Sequence, residues 1–200
     1  MAKQTTPDKT RRRRRSDADR SVQAILEAAL DALAGDPDAS MAEIARRAGV
    51  VRATIYAHFP TRESLLDFVM EHAVAQVAEA TAAAEPTRGE PQEALERVLR
   101  ATWQKLDLFH ALLAINTARL SVEELRRRHL PVTTQFAPLI ERGQKDGVFR
   151  RDVPVEWHLA VMRAIVHAAS AELRGGRLTE ATVEQTMLTT VLAALASPKP

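Results

Sequence analysis

The chain is predicted to be all-α, and three observations carry that expectation. Apolar residues recur at three- and four-residue intervals through nearly the whole sequence, and no useful length alternates apolar with polar residues as a strand would. Helix start and stop signals also punctuate the chain at the places where that periodicity breaks. Its 200 residues can bury one good-sized core, or one core with a small appended domain.

The first helix is read from Val22, Ile25, Leu26, Ala29, Leu30 and Leu33, which form one apolar stripe; GDPD at 35–38 stops it. Ser40 and Glu43 have the spacing of a capping box, in which each side chain satisfies a backbone donor at a helix start. The short helix they open carries Met41, Ile44 and Ala45. It must break at Ala48-Gly49-Val50, where glycine can take the left-handed conformation that a sharp turn needs. A brief helix over 51–57 comes after it, and Thr61 then N-caps a long one with Leu65, Leu66, Val69, Met70, Ala73, Val74 and Val77 inward.

EPTRGEP at 85–91 is the clearest linker. A helix with Leu95, Val98, Leu99, Trp103 and Leu106 comes next, and another is expected from about Leu108 to Leu120. Ser121 and Glu124 repeat the capping-box spacing, Pro131 should kink or split the helix they open, and Gly143 and Gly147 mark an end. Asp152-Val153-Pro154 reads as cap and first residue of a helix through Trp157, Met162, Ile165, Val166, Ala169 and Leu173, closed by Gly175-Gly176. The last helix starts near Thr179 and buries Val183, Met187, Val191 and Leu195.

Composition narrows the function. With no cysteine there is no disulfide frame, thiolate zinc site or cysteine nucleophile. The six histidines show no metal-binding spacing, and neither a G-x-S-x-G elbow nor a glycine-rich phosphate loop occurs, so no enzyme, cofactor or metal is expected. No run of about 18 apolar residues could span a bilayer, and no apolar segment comes after the N-terminal charges, so a cytoplasmic protein is expected. The net charge of +2 is unevenly spread. Lys3, Lys9, Arg11, Arg12, Arg13, Arg14, Arg15 and Arg20 outnumber Asp8, Asp17 and Asp19, which leaves the rest mildly acidic. Residues 1–19 are therefore expected to be a disordered basic arm, either a phosphate-binding segment that releases counterions from nucleic acid or a solvated tail.

Residues 48–66, AGVVRATIYAHFPTRESLL, pose the sharpest question, because a two-turn helix is marginal in water yet carries Arg52, Thr54, Tyr56 and His58. Ile44, Ala45, Val50, Ile55 and Phe59 can brace it against Ile25, Leu26 and Ala29. Three helices with a short glycine-containing turn between the last two form a helix-turn-helix, whose second helix enters the DNA major groove. With Ile55 inward, Arg52, Thr54, Tyr56 and His58 lie largely on the other sides, and the helix N-terminus offers free N–H groups to phosphate.

The stretch MAEIARRAGVVRATIYAHFPTRESLL, 41–66, strongly resembles the DNA-binding signature of the tetracycline-repressor-like (TetR) family. The matching features are Ile44-Ala45, Ala48-Gly49-Val50, Thr54, Ile55-Tyr56, His58-Phe59, and Arg62-Glu63 ahead of Leu65-Leu66. The resemblance is close over 20–70 and elsewhere rests on helix number, helix lengths and GVFRRDVP. It implies that Arg52, Ala53 and Thr54 face base edges, that Tyr56, His58 and Arg62 contact phosphates, and that Ser40 adds a hydroxyl. Arg52 suits either guanine or a phosphate, Tyr56 either DNA or the core, and His58 either phosphate or solvent. Val51 departs from the Ser or Thr frequent in the family, removing a side-chain cap worth about 0.5–2 kcal/mol.

The resemblance further implies a double-stranded DNA operator, a helical effector-binding and dimerisation domain over 67–200 behind a helix-turn-helix domain over 20–66, and a homodimer through the last two helices. The broad apolar faces of 154–173 and 180–196 fit that interface, or else serve the core. A small-molecule effector would contact some of Met70, Trp103, Leu106, Phe109, His110, Leu113, Asn116, Thr117, Phe136, Ile140, Met162 and His167, each of which also suits ordinary packing. The function expected is a sequence-specific regulator, most simply a repressor. The alternative is an architectural DNA-binding protein or helical adaptor without an effector.

Overall fold

The computed structural model describes residues 8–106, 115 and 119–198, with side chains from residue 17 onward except that of residue 106. Its helices are α1 (Asp8–Gly35), α2 (Met41–Arg47), α3 (Arg52–His58), α4 (Arg62–Ala83) and α5 (Pro91–Leu106), then α6 (Val122–Arg128), α7 (Leu130–Lys145), α8 (Val155–Arg174) and α9 (Glu180–Leu195). Among the described residues the only β pairing is an isolated bridge between Phe149 and Ala196. The all-α expectation holds. No described helix is long and apolar enough to cross a membrane. The chain forms two compact units, Met1–Met70 and Glu71–Pro200.

In the first unit, Ile25, Leu26, Ala29 and Leu33 of α1 are buried, as are Met41, Ile44 and Ala45 of α2, Ile55 of α3, and Leu65, Leu66 and Val69 of α4. Phe59 closes this core, its ring 5.1 Å from that of Phe68. Thr61 caps α4 reciprocally with Ser64: the Ser64 N–H donates to Thr61 Oγ1 at 3.1 Å, and the Thr61 N–H to Ser64 Oγ at 3.2 Å.

Two expectations change here. The box at Ser40 is only half formed, since the Glu43 N–H reaches Ser40 Oγ at 3.2 Å but the Glu43 carboxylate accepts from Arg46 and Arg47 at 2.7–2.8 Å. A guanidinium one turn away outcompetes a neutral amide because its hydrogen bond is charge-assisted. The backbone over 8–19 continues α1 where a disordered arm was expected. Arginine is a good helix former, and once the buried stripe holds the downstream turns each added residue gains a hydrogen bond without a new nucleus. Residues 1–7 lie outside the described residues.

The second unit buries Leu95, Val98, Leu99 and Trp103 of α5 against Phe136, Leu139 and Ile140 of α7, Met162 of α8, and Val183, Met187, Val191 and Leu195 of α9. Pro131 does divide two helices, since α6 ends at Arg128 and Pro131 sits in the first turn of α7. Pro138, inside α7, was not foreseen as a helix-interior proline; its exposed position lets water reach the carbonyl that loses a donor. Asp152 does not cap α8. The N-cap is Pro154, while Asp152 accepts from Arg150 Nε at 2.7 Å, and that guanidinium holds its carboxyl down at about 2. The helix expected over 108–120 lies outside the described residues, apart from a few positions.

Gly143 is not a helix end but a buried residue within α7, pressed against Phe149, and Gly147, with φ +77°, makes the turn instead. A Cβ on Gly143 would stand 2.1 Å from Phe149 Cδ2, and Phe149 is itself buried. Phe149 is pinned by its surroundings: the Arg150 N–H donates to Leu195 O at 2.9 Å and the Ser197 N–H to Val148 O at 3.1 Å. Gly143→Ala is accordingly expected to lower stability by about 1–3 kcal/mol, the usual cost of overpacking, which a denaturant titration measures.

Candidate nucleic-acid interface

Helix α3 has seven residues, and its sequence places one large apolar side chain on the inner side. Ile55 is fully buried, whereas Val51, Arg52, Ala53 and Tyr56 are exposed and Thr54 and His58 are half-buried. The turn before it works as the sequence implies: Gly49 has φ +66°, the Gly49 N–H reaches Arg46 O at 3.2 Å, and the Val50 N–H reaches Ala45 O at 3.0 Å. That hydrogen-bonded turn, with the buried Ile44 and Ala45 behind it, holds α3 where its outer side meets solvent.

Val51 occupies the N-cap with φ −74° and ψ 152°, the extended geometry of a cap, and forms no side-chain cap hydrogen bond. Its carbonyl already accepts from Thr54 N–H at 2.9 Å. The free N–H groups of the first turn are therefore left for solvent or for a phosphate oxygen. Because Val51 is 69% exposed, Val51→Ser needs no repacking and should raise thermal stability by about 0.5–2 kcal/mol, read from a melting curve.

Tyr56 points outward and is not a core aromatic. The Arg52 guanidinium lies 5.4 Å from its ring centroid, a cation–π contact one turn apart that holds both groups over the same outer surface. Phe59 takes the core place and His58 borders it, their ring centroids 6.3 Å apart. Arg62 is differently engaged from the phosphate role the resemblance implies: its Nη2 donates to Pro37 O at 2.6 Å and its Nε to Ala39 O at 3.4 Å, tying α4 to the loop before α2. The Ser40 hydroxyl accepts from Glu43 N–H and can still donate outward. Glu43 is the electrostatic hub of α2, its carboxyl pulled down to about 2 by hydrogen bonds from Arg46 and Arg47, and Arg47 also reaches Asp31 of α1 at 2.6 Å.

The residues suggested for an effector divide. Trp103, Phe136, Ile140 and Met162 share the core of the second unit, and Met70 is buried at the end of the first. His167 is half-buried on the flank of α8, its imidazole pushed down to about 4 chiefly by burial and then by His129, Arg163 and Arg174. The side chains of Leu106, Phe109, His110, Leu113, Asn116 and Thr117 lie outside the described residues. His129 and Arg163 were missed in the sequence reading, although the i, i+4 spacing of Arg163 and His167 was visible there.

A buried-backed second helix after a glycine turn, with cationic and aromatic groups outward, defines a helix-turn-helix DNA-binding unit. Comparison with known proteins agrees. The family described as "Bacterial regulatory proteins, tetR family" matches residues 25–69. The HTH-type transcriptional repressor KstR2 of Rhodococcus jostii is 30% identical over 168 residues, covering 78% of this chain and 80% of that one. The HTH-type transcriptional repressor LfrR of Mycolicibacterium smegmatis is 38% identical over 90 residues, 45% of this chain and 46% of the relative. Among solved structures, LfrR from Mycobacterium smegmatis in complex with proflavine superposes with a TM-score of 0.72 at 23% identity, over 90% of this chain and 98% of that one. The ketosteroid transcriptional regulator KstR2 of Mycobacterium tuberculosis gives 0.67 at 20%, over 88% and 95%. The chain belongs to the TetR family and is a helix-turn-helix transcriptional regulator.

Proposed function

We propose that the protein is a homodimeric repressor whose two α3 helices dock in successive major grooves of a palindromic operator, and that a small molecule bound in the second unit releases it. It acts in the cytoplasm, where its DNA is, and works by binding, without catalysis. The observation that carries this reading is the division of α3, with Ile55 fully buried and Arg52, Ala53 and Tyr56 exposed on one short helix. In this reading Arg52, Ala53 and Thr54 read base edges, Tyr56 and His58 grip phosphates, and Ser40 adds a hydroxyl contact. Arg62 first orients the unit through the loop carbonyls and turns a remaining donor to the backbone. The basic N-terminal residues add phosphate contacts.

The exposed surface of the last two helices supports a dimer. On α8, Trp157 is 57% exposed and shares one side with Ala164 and Ala168, with no charge between them. On α9 the exposed residues include Thr186, Thr189, Thr190 and Ala193. The hydroxyls of Thr186 and Thr190 donate to the carbonyls of Thr182 and Thr186 at 2.7 Å, which leaves methyl groups outward. A second copy related by a two-fold axis would cover that uncharged surface and space the two heads. As to the effector, LfrR was solved with proflavine, a precedent for a small molecule in this fold. Release requires the ligand to favour the incompetent spacing by several kcal/mol.

Footprinting upstream of the chain's own gene tests the reading. Protection of two inverted half-sites about one helical turn, or a multiple of it, apart is expected. Trp157→Glu should yield monomers by sedimentation and lose that footprint. Uniform protection of any duplex would instead favour the architectural alternative.

A further inference from the structure

We propose that the flank of α8 bearing Arg163 and His167, together with His129 at the start of α7, binds a small molecule with an anionic headgroup, a carboxylate or phosphate, on an apolar body. This rests on the reading of the second unit as the effector-binding one and specifies the chemistry of what it binds.

The placement comes first from helix geometry. Arg163, His167 and Arg174 stand at i, i+4 and i+11, and eleven residues are close to three full turns, so the three share one line along α8. That line borders the face of Met162, Val166 and Leu173; Met162 is buried in the core, while the half-buried Val166 and Leu173 form an apolar edge beside the charges against which a ligand body would lie. His129 stands at the start of α7, the helix packed on α8, and is near enough to this line that its protonated form and Arg163 both disfavour a proton on His167, as Arg163 does on His129. The His129 Nδ1–H donates to Leu125 O at 2.7 Å, which fixes the ring and leaves Nε2 for another partner.

Arg163, His167 and His129 are all half-buried, and Arg163 forms no ion pair with a carboxylate among the described residues. The acids of α6 and α8 are already used or turned away. Glu123 pairs with Arg126 at 3.5 Å, and Glu124 with Arg127 at 2.5 Å and Arg128 at 2.6 Å. Glu172 lies on the opposite side of α8 and pairs with Arg177 at 2.5 Å. Glu156 shares the line of Arg163 but sits two turns away, exposed at the helix start.

Gathering like charges in a half-buried place costs free energy, and the molecule limits that cost by keeping the imidazoles neutral: burial, then the neighbouring cations, pushes His167 down to about 4, and burial first lowers His129. An anion opposes the repulsion among these cations. It faces Arg163 directly and lets the imidazoles take up protons and donate.

The test uses the full chain with octanoate, octyl phosphate, octan-1-ol and octylammonium, which share one alkyl chain and differ in the headgroup. Calorimetry should show either or both anions binding about tenfold or more tightly than the alcohol, with octylammonium weakest. Binding of octanoate alone assigns the site to carboxylates, and of octyl phosphate alone to phosphates. Arg163→Gln should abolish the preference and Arg163→Lys keep most of it, with circular dichroism confirming that both are folded. The His167 ring, followed by NMR, should titrate at higher pH in the presence of the bound anion. Equal binding of the alcohol, no binding by any of the four, or an anion preference untouched by Arg163→Gln overturns the proposal. Operator footprinting with the same compounds separates the two readings. Anions that bind through Arg163 yet leave the operator occupied would refute effector release but not the anion site; release by the alcohol without anion binding would do the reverse.

Discussion

Alanine at Thr54 or at Tyr56 is expected to weaken operator binding by about 10- to 100-fold while leaving the protein folded, the range that loss of one good DNA contact gives. Both side chains leave the inner side of α3 to Ile55, so neither truncation opens a cavity in the core. Substitutions that touch no buried group usually change stability by within about 0.5 kcal/mol. Tyr56→Ala should have the larger effect of the two, because it also removes the ring over which the Arg52 guanidinium lies at 5.4 Å. That stack limits how far the long arginine side chain wanders before it meets DNA, and its loss adds an ordering cost on binding. Fluorescence anisotropy on a labelled operator, with a thermal melt alongside, measures both effects. Unchanged affinity in both variants would mean that α3 presents another side to the duplex.

Ile55→Ala, one residue from Thr54 and one from Tyr56, is expected to do something different in kind. Ile55 is fully buried in the unit whose core also holds Ile25, Leu26, Ile44, Ala45 and Leu65, and deleting its outer carbons should destabilise that unit by about 2–5 kcal/mol. A small unit has little margin against such a loss, so DNA binding should vanish because the head melts, not because a contact is missing. The tryptophans make this separable. Trp103 and Trp157 both belong to the unit Glu71–Pro200, so their fluorescence follows that unit while far-ultraviolet circular dichroism follows all the helices. In Ile55→Ala the dichroism should show an early transition that tryptophan fluorescence does not share. A single transition at the wild-type temperature would remove Ile55 from the bracing role on which the orientation of α3 depends.

How much of this was legible differs from helix to helix. The α2–turn–α3 segment was readable because its determinants are local: a serine cap, a glycine able to take φ +66°, and apolar residues at helical spacing. The missing cap at Val51 was readable for the same reason, since it comes from one side chain lacking an oxygen. Gly143 was not. A glycine beside Gln144 reads as a stop until Phe149 folds back over it, and only that ring explains why no side chain stands there. Arg62 was legible as a cation, but the Pro37 and Ala39 carbonyls that it meets lie more than twenty residues away. The cationic flank of α8 was half legible: the spacing of Arg163 and His167 is in the sequence, while His129 joins them only when α7 packs on α8.

The amino-acid sequence by itself determined that this protein is helical, where most helices begin and stop, and which short helix carries its outward donors. These depend on backbone dihedrals, capping and periodicity, which act over a few residues. The tertiary structure alone decided the partners that lie far along the chain: Arg62 takes the carbonyls of the loop before α2, and Arg47 reaches Asp31 of α1. Each of those pairs needs two segments brought within hydrogen-bonding distance by packing, which no rule acting over a few residues supplies.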